Sequence, residues 1–283
     1  MSMIDERLAA RVIVKRPQES HKGDYGRVLL IGGLPPYEGA IIMAATACVN
    51  AGVGLVSVAT HPDNLTALHS RLPEAMAFDV FDQELLDSIL KTADLVLIGP
   101  GLSETANAEQ IFHAVLQRIA PHQILVLDGS ALNLSAKFKS PLSHQGALIL
   151  TPHQREWERL SGLPPKEQTT NANWKALAKF PLGTLLVAKR HHTQIYEVES
   201  HRQDAINNGG PYQATGGMGD TLAGMIAAFS VQFPHVSLYE RVSAAVYVHS
   251  AIADELAVDH YVTLPSQIAQ EIPHVMKRFE QKL

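Results

Sequence analysis

Short, wholly apolar runs alternate with glycine-bearing turns and helix-length segments along most of the chain. Residues 27–31 (Arg-Val-Leu-Leu-Ile) stop at Gly32-Gly33, and 55–58 follow as the next run. Residues 94–98 stop at Gly99-Pro100-Gly101, 124–127 at Asp128, and 147–150 at Thr151-Pro152. Runs that are apolar throughout, rather than at every second position, predict strands buried on both faces. Segments 40–51 and 106–119 carry helical patterning between them. The first has small residues at Ala40, Ala44, Ala47 and Ala51, a spacing for close packing on a sheet. The alternation predicts an α/β fold with a mostly parallel central sheet covered by helices on both faces. Later the rhythm changes. Residues 184–188 and 193–197 flank a few polar positions, the pattern of a hairpin. A glycine cluster at 207–219 precedes predicted helices over 220–229 and 242–256. No repeat, low-complexity stretch or linker divides the sequence, so 1–283 is expected to be one domain, with 1–20 an N-terminal arm or helix.

The composition narrows the function classes. Hydrophobic residues are 46% and charged residues 18%, which suits a compact folded chain. A net charge of −5 leaves no basic footprint for nucleic acid. The longest uncharged apolar run, 40–49, is too short to cross a membrane, and the charged N-terminus does not resemble a signal peptide. The single cysteine, Cys48, can form no internal disulfide and fits a reducing, cytoplasmic setting; it reads as a small apolar residue inside a helix.

Ligands of open parallel sheets bind beyond the carboxyl ends of the strands, where all of these turns fall. The richest is 214–224, Ala-Thr-Gly-Gly-Met-Gly-Asp-Thr-Leu-Ala-Gly. Gly216, Gly217 and Gly219 let the backbone approach a ligand closely, and a helix starting near Asp220 offers unpaired N–H groups to an anion. Asp220 is placed to take a proton from an attacking hydroxyl while those amides hold a phosphoryl group. The competing reading is a tight turn with Asp220 as helix cap. His153 and Glu156, three apart after a strand, could share a helix face, one meeting a ligand and the other a metal or water. Equally, Glu156 could be an ordinary first-turn acid. The 189–193 segment, Lys-Arg-His-His-Thr, could meet nucleotide phosphates, although alone it reads as a solvated hairpin tip. His191 and His192, being adjacent, should point apart, which is poor metal-ligand spacing; the 14 histidines contain no convincing zinc set.

Seven segments in order carry a family resemblance: Lys22 to Gly26 with 28–33, Gly39-Ala40, Gly99-Pro100-Gly101, Asp128 with Ala131 to Asn133, Thr151-Pro152-His153 with Glu156, Lys189 to Thr193, and 214–220. From about residue 20 onward the chain resembles the ADP- or ATP-dependent NAD(P)H-hydrate dehydratases of the ribokinase-like superfamily. The resemblance implies a repair lyase that returns the (6S)-hydrates of NADH and NADPH (NADHX, NADPHX) to the working cofactors. A nucleotide would phosphorylate the C6 hydroxyl, and phosphate, a far better leaving group than hydroxide, would then be eliminated. Asp220 would be the base, and Gly216, Gly217, Met218 and Gly219 the anion hole. Ala40, Gly99, Gly101, His153 and Asp220 would bind the hydrate. Lys189, Arg190, His191, His192, Thr193 and Gly219 would bind ADP or ATP, with Mg²⁺ expected on ligands the sequence does not reveal. Three positions depart from the family pattern: Arg190 where glycine usually follows the lysine, Gly209-Gly210 where a Gly-Asn pair is usual, and Met218 where threonine is. The resemblance also implies a homo-oligomer, with a tetramer favoured, a leaning toward ADP, and a hydrate epimerase supplied as a separate protein. The alternatives are a ribokinase-like kinase for a vitamin precursor of hydroxymethylpyrimidine or pyridoxal type, which would not be expected to share the first segments, and a non-catalytic nucleotide-binding sensor.

Overall fold

A computed structural model describes residues 2–138, 142 and 144–281. Its strands are β1 (Ser2–Ile4), β2 (Arg27–Ile31), β3 (Leu55–Thr60), β4 (Met76–Asp79), β5 (Leu95–Ile98), β6 (Ile124–Leu127), β7 (Leu148–Leu150), β8 (Thr184–Ala188), β9 (Gln194–Glu197) and β10 (Arg202–Ile206). They form one sheet in the order β1-β10-β9-β8-β7-β6-β5-β2-β3-β4. From β4 to β8 every pairing is parallel; β9 runs antiparallel to both β8 and β10, and β1 pairs parallel with β10. The predicted hairpin is therefore real, and it ends the parallel region.

The helices are α1 (Glu6–Val12), α2 (Glu38–Asn50), α3 (Leu65–Arg71), α4 (Gln83–Leu90), α5 (Ala106–Arg118), α6 (Ser130–Phe138), α7 (Gln154–Ser161), α8 (Thr170–Leu177), α9 (Met218–Val231), α10 (Leu238–Leu256) and α11 (Pro265–Glu280). The strands divide their side chains between two apolar cores. Val28, Leu30, Val126 and Val187 enter the core under α1, α2, α9, α10 and α11. Leu29, Ile31, Leu127 and Leu186 enter the opposite core, under α4 to α8. This is the period-2 consequence of apolar residues at every position, and the sheet is covered on both faces.

Three segments gain detail. The alanine face of α2 makes its closest approach to a helix: a Cβ at Gly224 of α9 would lie 2.0 Å from the Ala44 carbonyl oxygen. The first residues are more than an arm, because β1 adds a sheet strand before α1. The Lys22 to Gly26 segment lies before β2, at the end of the sheet opposite the glycine turns, where Gly54 packs against the Lys22 carbonyl and Gly26 against Val231. That motif shapes the fold's far edge. Cys48 is fully buried in α2, and burial pushes its thiol upward, as expected for an apolar core position. No helix among the described residues is long and apolar enough to cross a membrane.

Candidate active site

Strand order reverses between β2 and β5, a topological switch point. The turns that leave these two strands are tied together: Gly33 N–H donates to the Pro100 carbonyl at 2.9 Å and Leu34 N–H to that of Gly101 at 2.8 Å. Side chains are excluded there. Gly99 (φ +132°) would place a Cβ 1.7 Å from the Asp128 carbonyl oxygen, and Gly101 (φ +64°) would place one 2.2 Å from that of Tyr37 and 3.1 Å from the Ala40 methyl. Close backbone packing is thus a sufficient reason for both glycines, and it brings Ala40, Gly101, Gly99 and Asp128 side by side.

Asp128, at the tip of β6, is the centre of the next cluster. Its Oδ1 accepts from the Thr151 hydroxyl at 2.6 Å and from Lys189 Nζ at 2.7 Å, and its side chain is only 3% exposed. Lys189 is delivered by an extension of β8, where its N–H donates to the Pro152 carbonyl at 2.9 Å and its backbone pairs with His153. Burial alone would lower its ammonium, but the Asp128 and Glu156 carboxylates outweigh that and hold it above its ordinary value. Lys189 is therefore no solvated hairpin tip, a correction to the sequence expectation. The tip is formed by Arg190, His191 and His192, which are exposed, while Thr193 turns inward. The two histidine rings do not point apart either. They meet at 4.1 Å between centroids, because the chain bends there and the alternation of an extended strand does not hold.

Lys189 leads directly to the glycine loop: its Nζ is 3.2 Å from where a Gly219 Cβ would sit. Gly217 (φ +91°) is the N-cap of α9, which begins at Met218, earlier than predicted. No side chain caps that helix, so its first amides are left to an anion. Asp220 is the third helical residue and not the cap, which overturns the capping alternative. Burial first, and then the neighbouring Asp128 charge, raise its carboxyl to about 6, against the opposing pull of Lys189. A Cβ on Gly216 would meet nothing within 4 Å, so that residue borders open space.

His153 and Glu156 form a capping box at the start of α7: His153 Nδ1 accepts from the Arg155 amide at 3.1 Å, and Glu156 Oε2 accepts from the His153 amide at 2.7 Å. Glu156 does act as a first-turn acid, but a buried one, raised to about 7 mainly by that burial. The His153 ring stays half exposed, and burial with the nearby Lys189 charge lowers it.

A cleft of about 380 Å³ opens beside this rim, lined by His153, Lys189 to His191, Thr193, Met218 and Gly219 together with the apolar Ile206, Leu222 and Val246. Its wall is the loop after β10, where the departure Gly209-Gly210 falls. Asp254 of α10 accepts from Asn208 Nδ2 at 2.8 Å, from the Gly209 amide at 2.8 Å and from the Tyr212 hydroxyl, which burial first, and then Asp254, raise to about 12. Asp254 and His249, another α10 residue on the cleft, gave no sign in the sequence: each looks like one polar residue of an amphipathic or buried helix. Asp128 was visible as a strand end, but its pairing with Lys189 spans 61 positions.

A mostly parallel sheet covered by helices on both faces, with an uncapped helix start on its carboxyl rim, matches the fold of the ribokinase-like class. A ribokinase-like superfamily protein from Enterococcus faecalis shares the fold with a TM-score of 0.94 at 42% identity, over 99% of this chain and 96% of that one. A family model described as NAD(P)H-hydrate dehydratase matches residues 28–274. The ADP-dependent (S)-NAD(P)H-hydrate dehydratase of Streptococcus thermophilus is 53% identical over 275 residues, 97% of this chain and 98% of that one. The chain belongs to the NAD(P)H-hydrate dehydratase family. Also similar is the ADP/ATP-dependent NAD(P)H-hydrate dehydratase of Bacillus subtilis, co-crystallised with ATP/Mg²⁺, with a TM-score of 0.86 and 30% identity over 99% of each chain.

Proposed function

We propose that this chain converts (6S)-NADHX and (6S)-NADPHX to NADH and NADPH with ADP as the phosphate donor, and that Asp220 is the base. The observation that carries the reading is the placement of a raised carboxyl in the first turn of an uncapped, glycine-led helix, with the Lys189 ammonium against Gly219 of the same turn. Asp220 takes the C6 hydroxyl proton as that oxygen forms its bond to the β-phosphorus and the bond to the AMP oxygen breaks. The first amides of α9 and the Lys189 ammonium stabilise the charge on the moving phosphoryl group. The ring nitrogen lone pair then expels phosphate from C6, and loss of a C5 proton restores the dihydropyridine. Ala40, Gly99, Gly101 and His153 border the hydrate's side of the rim. Lys189, Arg190, His191, Thr193 and Gly219 border the nucleotide cleft, and His192, the remaining residue of that segment, lies outside its lining. The ADP preference is supported by the name of the Streptococcus thermophilus relative.

Mg²⁺ would neutralise charge on the nucleotide phosphates. Among the described residues no three His, Cys, Asp or Glu side chains are grouped to hold a metal. Asp128 is engaged by Lys189 and Thr151, and Glu156 by the His153 amide. That donor set fits an ion carried mainly by phosphate and water. Exposed Val258 and Tyr261, at 80% and 96%, support self-association, with a tetramer as the expected form. The single buried cysteine is in keeping with the cytoplasm. A separate epimerase would supply the reactive hydrate epimer from its partner epimer.

The test mixes protein, Mg²⁺ and NADHX with ADP or ATP and follows recovery of the reduced-nicotinamide absorbance. Recovery that needs ADP and disappears in Asp220→Asn supports the reading. Undiminished turnover in Asp220→Asn rejects the base assignment, and no recovery with either nucleotide rejects the reaction.

A further inference from the structure

His153 caps α7 with an imidazole ring, where Ser, Thr, Asp or Asn is the usual residue. Two hydrogen bonds assign its nitrogens. Nδ1 accepts from the Arg155 amide at 3.1 Å and from the Glu156 amide at 3.4 Å, so it carries no hydrogen. Burial and the Lys189 and Arg159 charges keep the ring neutral at pH 7 and above, and its one hydrogen therefore sits on Nε2. The side chain is 52% exposed and lines the cleft with Lys189 and Gly219, within reach of a ligand. Glu156 Oε1 stands 3.4 Å from that Nε2, while its Oε2 holds the His153 amide at 2.7 Å. One carboxyl group thus meets both the backbone of His153 and the hydrogen-bearing side of its ring.

The chain supplies a comparison, because the same box of histidine and acid occurs at His21 and Asp24, before β2. There His21 Nδ1 accepts from the Gly23 amide at 3.1 Å, and Asp24 Oδ2 accepts from the His21 amide at 2.8 Å. Both side chains stand in water, 79% and 49% exposed. Capping alone therefore needs no burial. The Glu156 side chain is 7% exposed, and burial raises it to about 7, aided by Asp128 and opposed by Lys189, the His153 amide and Arg159. A carboxyl group withdrawn from water costs free energy that the surface box avoids. What the second box has and the first lacks is a ring that opens on the cleft.

We propose that Glu156 is a positioning residue, whose carboxyl group holds His153 as a fixed Nε2–H donor to an oxygen of the bound hydrate. His153 then donates a hydrogen bond and takes no proton. The proposal rests on reading this rim as the hydrate site.

Long-range proton–nitrogen NMR of protein labelled at its histidine rings tests the first half at pH 8, where Glu156 is ionised. His153→Asn, whose shorter side chain still caps the helix, assigns the signal. Wild-type protein should show the Nε2–H tautomer alone. Glu156→Gln keeps the amide contact but turns an N–H toward Nε2, and should show a mixture of tautomers. Steady-state assays with NADHX and ADP test the second half. Glu156→Gln should raise KM for NADHX about tenfold, the loss of one hydrogen bond, with kcat and KM for ADP little changed. His153→Asn should do the same, and the double variant should lose no more than either single one. Circular dichroism and melting report folding; if Glu156→Gln does not fold, Glu156→Asp copies the His21 box and draws the carboxyl back from Nε2. A wild-type ring hydrogen on Nδ1 overturns the proposal, and so does a wild-type KM in the folded Glu156 variant. A Glu156→Gln penalty that persists in full on the His153→Asn background overturns it too, as does a rise in KM for ADP in place of NADHX. Absence of turnover by the wild-type protein would instead remove the hydrate reading beneath it, since the tautomer is read without substrate.

Discussion

Replacing Lys189 with methionine keeps most of the side chain's length and removes its charge. The partner left behind is Asp128, whose side chain is 3% exposed, while that of Lys189 is 17% exposed. Breaking a buried ion pair typically costs ~3–5 kcal/mol because the remaining charge has nowhere to go. Partial access of Lys189 to water and the surviving 2.6 Å bond from Thr151 place this case near the low end. We expect a loss of about 3 kcal/mol, or roughly 6–10 °C in Tm for a chain of this size. Adding Asp128→Asn removes the stranded charge and should restore about 2 kcal/mol, a coupling measured by urea unfolding of the single and double variants. The catalytic consequence is independent of the unfolding data. Lys189 holds the Asp220 carboxyl down, so its removal should move the acid limb of residual activity upward from about pH 6. A Lys189→Met protein within ~0.5 kcal/mol of wild type, the ordinary range of surface changes, would refute the buried-pair argument. So would a double variant no more stable than the single one.

In the wild type, Asp220 accepts a proton only when ionised, so kcat/KM should fall about tenfold per unit below a pH near 6 and level off above it; a profile flat to pH 5 would contradict the base assignment. Gly216→Ala and Gly217→Ala should separate ligand from fold. The first adds a methyl into open space and should melt like wild type while losing turnover. The second forces φ +91° on alanine, 2.3 Å from Met43 Sδ, and should cost about 1–2 kcal/mol before any ligand is added. Asp254→Ala strands the Tyr212 hydroxyl, the Asn208 amide and the Gly209 N–H, and should cost about 2 kcal/mol in chemical denaturation while raising KM for ADP several-fold.

The parallel sheet was legible because its signal is local. The run 27–31, apolar after its exposed Arg27, and the all-apolar 124–127 coincide with β2 and β6, and 184–188 with β8. Strand β4 was missed because Met76–Asp79 is short and ends in an acid, and β10 because Arg202–Ile206 opens with three polar residues. Tertiary pairing supplies what their patterns lack. In the site, glycines and Asp220 stood out since few other reasons require such a cluster. Lys189 was visible as a residue and misplaced as an environment, because nothing near it in sequence announces that Asp128 will neutralise it. The same holds for His191 and His192, where one bend cancels strand alternation. Arg190 and Gly210, which depart from the family pattern, lie on the tip and on the Asp254-braced loop.

Strand β1 has a bearing on how the chain is handled in practice. Three residues beside β10, with Ile4 opposite Ile206, seal an edge that otherwise presents bare backbone. Ile206 itself lines the cleft proposed for the nucleotide, and the loop that walls the cleft starts directly after it. The first few amino acids are thus a neighbour of the binding site, one strand removed. Anything fused ahead of them emerges at that seam, and a version trimmed to begin at the first long central strand would trade a closed edge for an adhesive one. Purification handles on this protein belong at the other terminus, beyond α11.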